Sequence, residues 1–185
     1  MKYNQYLVLL RGINVGGKNI IKMTDLKAGF EEMGFSYVLT YIQSGNVLVQ
    51  SEDKDKAALT TKIEKGLSKH FNFMAKVVMI SQKELAGIVK SAPEGFGKDE
   101  KKFRYDVIFL KEPLTPKEAM ESVKVREGVD TAHAGKQALY FSRLISRASQ
   151  SYLTKIIGMP VYQNMTIRNW NTTTKLLALM EGQDG

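Results

Sequence analysis

Residues 6–19, YLVLLRGINVGGKN, carry the strongest structural signal in the chain. The apolar run Tyr6–Leu10 is short, has no charge and ends before a glycine, which predicts a buried strand. Arg11 follows the strand, and a loop rich in glycine and asparagine comes next. This order places a fixed positive charge and a flexible backbone at the end of a strand.

Working outward from this strand, the first half alternates strands and helices in the order β-α-β-β-α-β. Apolar residues recur at helical spacing from Met23 to Met33, with Thr24 expected as the N-cap and Gly34 as the stop. The remaining predicted elements are strands at 37–42 and 46–50, a helix at 55–69 and a strand at 76–80. This is the order of a ferredoxin-like split unit, in which the third strand lies beside the first. The loop at 11–18 and the hairpin at 44–46 should therefore be neighbours.

The second half repeats this order more weakly. A helix reaches residue 89 or 90, a loop spans 91–102, and a strand covers 103–110. Thr115 and Glu118 form a capping box with Pro116 between them. A hairpin at 129–142, a helix at 149–157, a weak strand at 161–167 and a final helix at 173–180 follow, with Asn171 or Thr172 as the last cap.

These patterns predict an α+β fold with two ferredoxin-like lobes, mainly antiparallel sheets and an extra C-terminal helix. The expected division is an N-terminal lobe with a linker helix at 1–90, a connecting loop at 91–102, and a C-terminal lobe with the final helix at 103–185.

Composition excludes several kinds of site. The chain has no cysteine, so disulfides, thiolate metal ligands and cysteine nucleophiles are absent. Its two histidines, His70 and His133, are too few for a multi-histidine metal site, and we expect neither a metal nor a cofactor. No apolar stretch is long enough to span a membrane, so a cytoplasmic protein without a membrane partner is expected.

The basic residues are unevenly distributed. Residues 1–24 contain Lys2, Arg11, Lys18 and Lys22 and no acid, and residues 131–180 contain six basic residues and no acid. Because the net charge is +8, the rest of the chain is slightly negative. Such asymmetry favours a face that meets an anion, although a solvated basic surface is the plainer alternative.

Three motifs together resemble one bacterial family, the domain of unknown function sixteen-ninety-seven. They are LLRGINVGG at 9–17, YIQSGNV at 41–47 and IRNWNT at 167–172, and the resemblance runs from about residue 3 to about residue 180. It implies a two-lobed α+β fold. It implies no established activity and therefore no catalytic residue.

The first motif has the spacing G-x-x-x-x-G-K of a phosphate-binding loop. Asn19 stands where such a loop has the serine or threonine that holds Mg²⁺, and the predicted helix starts several residues late. A nest of backbone N–H groups that binds an anion is the favoured interpretation. A glycine-rich turn with only a structural role is the alternative.

The other two motifs add polar groups. Ser44 lies in a hairpin without a nearby histidine, so a hydrogen-bonding role is favoured over a nucleophilic one. Arg168 and Asn169 precede a helix N-terminus, where free N–H groups and the helix dipole favour anions. Trp170 beside them is more often a packing residue than a stacking one.

The leading functional hypothesis is a cleft for a small anionic ligand, with nucleotide-like molecules among the candidates, where the three motifs meet. The predicted ligand-binding residues are Arg11, Gly12, Asn14, Gly16, Gly17, Lys18, Gln43, Ser44, Asn46, Arg168, Asn169 and Asn171. No general base stands out, so whether the protein is an enzyme stays open.

Two alternatives remain. One is a nucleic-acid-binding protein that uses the two acid-free segments as a phosphate track, although Tyr140 and Phe141 should point to opposite faces and make a weak stacking platform. The other is a protein-interaction module whose motifs only maintain the fold.

Overall fold

The computed structural model describes residues 3–182. Lys2, one of the basic residues of the N-terminal acid-free segment, lies outside the described residues. The chain divides into two compact units: the first ends at Gln82 and includes the end of the last helix from Met180, and the second is Lys83–Leu179.

The first unit is a four-stranded antiparallel sheet with two helices. Its elements are β1 (Asn4–Leu10), α1 (Met23–Glu32), β2 (Ser36–Tyr41), β3 (Asn46–Ser51), α2 (Lys56–Phe71) and β4 (Val77–Ser81). The strand order is β2-β3-β1-β4, with Leu7 opposite both Leu48 and Ile80. The predicted ferredoxin-like order and the place of the third strand beside the first are confirmed.

Burial explains this arrangement. Strand β1 is central, and Leu7, Val8 and Leu9 are fully buried. Val8 belongs to a hydrophobic cluster that also contains Phe30 of α1 and Ile63 of α2. A central strand covered on both faces needs a continuous apolar run, which the sequence YLVLL supplies.

The second unit repeats the architecture. Its elements are α3 (Gln82–Lys90, of which Gln82 belongs to the first unit), β5 (Phe103–Leu110), α4 (Pro116–Ser122), β6 (Asp130–Ala134), β7 (Ala138–Leu144), α5 (Leu153–Ile157), β8 (Met165–Asn169) and α6 (Trp170–Glu181). The strand order β6-β7-β5-β8 is antiparallel throughout and corresponds to that of the first sheet. The predicted α+β fold with two such lobes and a C-terminal helix is confirmed.

The capping signals give a mixed result. At α4, Glu118 N donates to Thr115 Oγ1 at 3.3 Å and Thr115 N donates to Glu118 Oε2 at 2.9 Å, which confirms the capping box. At α1, the N-cap is Lys22 and not Thr24. Thr24 instead lies inside the first turn, where its hydroxyl donates to Asp25.

The predicted helix at 149–157 is broken in the structure. A 3-10 helix covers Ile145–Gln150, and α5 begins only at Leu153. Ser151 Oγ accepts a hydrogen bond from Leu153 N, and Asp130 Oδ2 accepts one from Tyr152 N. These side chains satisfy backbone donors that a continuous helix would have bonded internally.

The predicted strand at 161–167 begins late. Residues Pro160–Asn164 form a second 3-10 helix, and the strand is Met165–Asn169. Proline fixes φ and lacks the N–H that a strand ladder needs, which favours the helical turn at its position. The late strand brings Asn169 into the sheet directly before α6.

Candidate functional site

The first motif forms a small hairpin. Lys18 N donates to Val15 O at 3.1 Å, and Asn14 N donates to Asn19 O at 3.1 Å. Between them, Gly16 and Gly17 have φ of 58° and 73°. The Lys18–Val15 hydrogen bond closes a turn whose two central residues both have positive φ, which is the pattern of a type I′ hairpin turn. The stretch is therefore not a Walker-type loop, in which the glycine turn leads directly into a helix.

The first and second motifs lie side by side in the first unit. Asn14 Nδ2 donates to Ile21 O and to Gln43 O, both at 3.0 Å, and Asn14 Oδ1 accepts from Ile21 N at 2.8 Å. Leu10 N donates to Gly45 O at 2.8 Å. The predicted adjacency of the loop at 11–18 and the hairpin at 44–46 is confirmed.

The amide side chains of these motifs hold the turns together. Asn46 is fully buried, and its Nδ2 donates to Tyr41 O and Ser44 Oγ, both at 3.0 Å. Both N–H groups of the Asn14 amide are also used by protein carbonyls. A ligand-reading role for these two asparagines stays a prediction, and their observed contacts are structural.

The remaining predicted residues of the first unit are more accessible. Arg11 is half-buried and its backbone N–H donates to Lys76 O at 3.0 Å. Gly12 accepts a hydrogen bond from Asn19 Nδ2 at its carbonyl. The side chains of Lys18 and Gln43 are exposed.

The third motif belongs to the second unit, and its convergence with the other two stays a prediction. Arg168 is only 8% exposed, and its Nη1 donates to Thr166 Oγ1 and Ile167 O, both at 2.8 Å. Burial lowers the pKa of Arg168 to about 10, with a smaller opposing effect from Tyr162. The guanidinium is therefore still a cation at neutral pH.

Asn169 caps the last helix. Its Oδ1 accepts from Asn171 N at 3.0 Å, and its Nδ2 donates to Tyr105 O at 3.1 Å. The helix begins at Trp170, three positions before the predicted Thr173, so the expectation that Asn171 or Thr172 caps it is wrong. Asn169 acts earlier because its side chain reaches both the neighbouring strand and the first turn.

Trp170 packs in an aromatic cluster. Its ring meets Phe96 edge-on at a centroid distance of 5.2 Å, and Phe96 also contacts Tyr105 and Tyr140. A Cβ at Gly97 would overlap the indole, which explains why the smallest residue stands there. The packing role expected for a lone tryptophan is observed.

A pocket of about 450 Å³ lies in the second unit, where β8 ends and α6 begins. This size is within the usual range for small-molecule sites. Its wall combines aromatic, aliphatic, charged and amide side chains: Phe103, Tyr105, Trp170, Ile145, Glu100, Arg104, Asp106, Arg143, Asn169 and Asn171. Two residues of the third motif's predicted set, Asn169 and Asn171, are among them, whereas Arg168 is not.

An ion pair between the buried Asp106 and the half-buried Arg143 faces this pocket. Arg143 Nη2 lies 3.5 Å from Asp106 Oδ2, and Asp106 is 6% exposed. Among the described residues, neither Asp106 Oδ2 nor Arg143 Nε has a hydrogen-bond partner. Burial raises the pKa of Asp106, and the attraction of Arg143 and Arg104 offsets part of that rise. Unfilled hydrogen-bonding capacity at a buried charge is uncommon and marks candidate sites.

Arg104, Asp106 and Arg143 were missed as site residues from the sequence. Arg104 lies directly opposite Arg143 in the β5–β7 ladder, and Asp106 lies opposite Phe141. Side chains at alternate positions share a face, so these charges continue the face of Ile108 and Phe141. The available signal for this site was the alternation of the charged residues Arg104 and Asp106 with the apolar residues of a predicted strand.

The aromatic platform that the sequence predicted to be weak is not exposed in the structure. Tyr140 and Phe141 are buried, so they form no exposed platform for stacking bases. Burial also raises the pKa of Tyr140 to about 12, and its hydroxyl donates to Ile88 O. Within residues 3–182, no cluster of histidine, aspartate and glutamate fits a metal ion, and no helix has the length and apolar character of a membrane span.

Comparison with known proteins supports the architecture. The structure of the conserved bacterial protein SP0830 from Streptococcus pneumoniae is 27% identical in sequence and matches with a TM-score of 0.84, covering 97% of this chain and 99% of that one. No curated protein matches the sequence. The family described as "Protein of unknown function (DUF1697)" matches residues 3–140, a range that contains the first and second motifs. The chain therefore belongs to the DUF1697 family.

Proposed function

We propose that the protein binds a small anionic molecule in the pocket between the start of β5 and the start of α6. The molecule would carry a carboxylate or phosphate and, close to it, a hydrogen-bond donor such as a hydroxyl or amine. The observation that carries this proposal is the buried Asp106–Arg143 pair, which faces the pocket with hydrogen-bonding capacity left unfilled.

The arginines supply the attraction for the anion. Arg104 and Arg143 lie opposite each other on neighbouring strands, an arrangement in which like charges repel. An anionic group placed against them would relieve this repulsion and accept charge-assisted hydrogen bonds. Arg143 Nε has no hydrogen-bond partner among the described residues and would donate to such an acceptor.

Asp106 supplies selectivity. Asp106 Oδ2 is an acceptor without a hydrogen bond, so a ligand donor beside the anionic group would satisfy it. A ligand lacking that donor would leave this buried carboxylate oxygen without a hydrogen bond, which is costly. The aromatic side chains of Phe103, Tyr105 and Trp170 offer an apolar wall to the rest of the molecule.

A thermal-shift screen of the whole protein tests this proposal. The panel consists of inorganic phosphate, nucleoside monophosphates, hydroxycarboxylates and amino acids. We expect one class to raise the melting temperature of the wild type, because a ligand of the native state stabilises it by mass action. Loss of a hydrogen bond to a charged group is worth about 1.5–3 kcal/mol, so Arg143→Gln should weaken binding about tenfold to a hundredfold.

Arg147→Gln is the matched control, because Arg147 is exposed and is not part of the pocket wall. Each variant is compared with its own ligand-free melting temperature, so a change in basal stability does not affect the conclusion. A shift that survives Arg143→Gln, or a wild type that responds to no anion in the panel, would contradict the proposal.

A further inference from the structure

The two turns of the first unit present apolar side chains to solvent. Val15 is 66% exposed, Ile20 is 76% exposed and Ile42 is 50% exposed. Asn14 Nδ2 joins the turns, because it bonds the carbonyls of the residues that follow Ile20 and Ile42. The three apolar side chains therefore lie on turns held at the same end of the sheet.

Positive charge accompanies these side chains. Val15 and Lys18 face each other across the small hairpin, and Lys22 follows the loop; both lysines are exposed. Residues 3–24 contain no acid. We call the set Val15, Lys18, Ile20, Lys22 and Ile42 the loop-tip surface.

The turns are held by hydrogen bonds, and their tip is open. Internal hydrogen bonds from Asn14, Asn19 and Asn46 fix their backbone. A Cβ built at Gly16 or Gly17 would meet no atom within 4 Å, so the tip of the hairpin is unobstructed. A preorganised, exposed apolar surface loses little conformational entropy when it docks.

We propose that the loop-tip surface docks on an anionic membrane. The apolar side chains would enter the interface between headgroups and acyl chains, while the lysines would meet lipid phosphates. Its apolar side chains are exposed on turns beside lysines, a combination that matches the apolar and anionic layers of a lipid surface. A nucleic acid would use the lysines but leave the apolar tips in water. The expectation of no membrane partner rested on the lack of a span, which does not bear on surface docking.

Vesicle sedimentation of the full chain tests this inference. We expect the protein to sediment with vesicles containing phosphatidylglycerol and to remain in solution with phosphatidylcholine alone. Because a lysine near an anionic surface is worth about fivefold in binding, Lys18→Gln should weaken sedimentation by about that factor. Ile20→Ser removes an exposed apolar side chain that docking would bury in the lipid, and should weaken sedimentation about tenfold or more.

Two controls match these variants. Met74 is 81% exposed and Lys54 is exposed, and both lie in the first unit outside the loop-tip surface. Met74→Ser and Lys54→Gln should bind vesicles like the wild type. The inference is overturned if the wild type does not sediment with anionic vesicles at low salt, or if the controls lose as much binding as the loop-tip variants. Failure with vesicles would leave an acidic protein surface as the partner that this charge favours.

Discussion

At the scale of single residues, the ion pair of Asp106 and Arg143 is the distinctive feature of the second unit. The pair is close at 3.5 Å, yet each side chain keeps one atom without a hydrogen bond. A buried ion pair of this kind contributes little to stability, because desolvation offsets most of the attraction. Its place on a pocket wall is the basis for the proposed ligand site.

The first prediction concerns the pH dependence of Asp106. Burial raises the pKa of Asp106 in the folded protein above the ordinary value of 3.8 that applies to the unfolded chain. The folded protein therefore keeps the carboxyl proton of Asp106 at pH values where the unfolded chain has released it. The unfolded state then binds fewer protons, so the contribution of Asp106 to stability is present below pH 3.8 and is lost as pH rises through the folded pKa. Each tenfold difference in the acid dissociation constant of Asp106 between the folded and unfolded states contributes about 1.4 kcal/mol to the free energy of unfolding.

Urea unfolding of the wild type and Asp106→Asn across a pH series measures this effect. The free energy of unfolding of the wild type, relative to the variant, should be largest at acid pH and should fall toward neutral pH. A relative stability that grows with pH would mean that the attraction of Arg143 outweighs burial, and the raised pKa of Asp106 would then be wrong.

The second prediction compares two glycines with positive φ. Gly45 has φ of 71°, and a Cβ there would come within 2.8 Å of Leu10 Cβ and 2.9 Å of Ile13 Cδ1. Gly16 has φ of 58° but nothing within 4 Å. Backbone strain affects both, while overpacking affects only Gly45, so Gly45→Ala should cost about 2–4 kcal/mol and Gly16→Ala about 1 kcal/mol.

Chemical denaturation of the two glycine variants gives both free energies. Equal losses would show that the close contact between the first two motifs at Gly45 adds nothing to the strain of its backbone.

At the scale of secondary-structure elements, the junction of β8 and α6 positions the proposed site. Asn169 connects the two by bonding Tyr105 O and Asn171 N. The helix starts immediately, and the pocket occupies the space beside β5 where β8 has ended. The cap therefore fixes both the helix and one wall of the pocket.

The third prediction compares the effects on stability of replacing the capping residue Asn169 and its neighbour Asn171. Asn169→Ala should lower the free energy of unfolding by about 1–2 kcal/mol, because an N-cap and a second hydrogen bond are lost. Asn171→Ala, at an exposed position, should change it by less than about 0.5 kcal/mol. Urea unfolding of both variants is the measurement, and a larger loss at Asn171 would restore Asn171 as the cap, one of the two candidates from the sequence.

The order of the elements was predictable because a helix or strand with a buried face has apolar residues at regular spacing in its sequence. Strand β1 and helix α2 are examples, with their apolar residues at the spacings that burial demands. Boundaries that depend on long-range contacts were not predictable. Asp130 breaks one helix by accepting a hydrogen bond from Tyr152 N, and Asn169, which starts another, donates to Tyr105 O on a different strand.

At the scale of the whole molecule, two units of like topology carry different features. The first unit joins two motifs through Asn14, and the second holds a pocket with charged walls. Sequence reasoning found the motifs because they are unusual locally. It missed Arg104, Asp106 and Arg143 because their meaning depends on strand register, which places the two arginines opposite each other.

The single tryptophan of the chain allows the most direct test of the proposed pocket. Trp170 lies on its wall, so the intrinsic tryptophan fluorescence of the protein comes from the site itself. Titration with the strongest-binding anion of the screen should change the Trp170 emission saturably, with the affinity found by calorimetry, and Arg143→Gln should weaken both together. Calorimetric binding without any change in Trp170 emission, or a change that Arg143→Gln leaves untouched, would place the ligand elsewhere and contradict the proposed pocket.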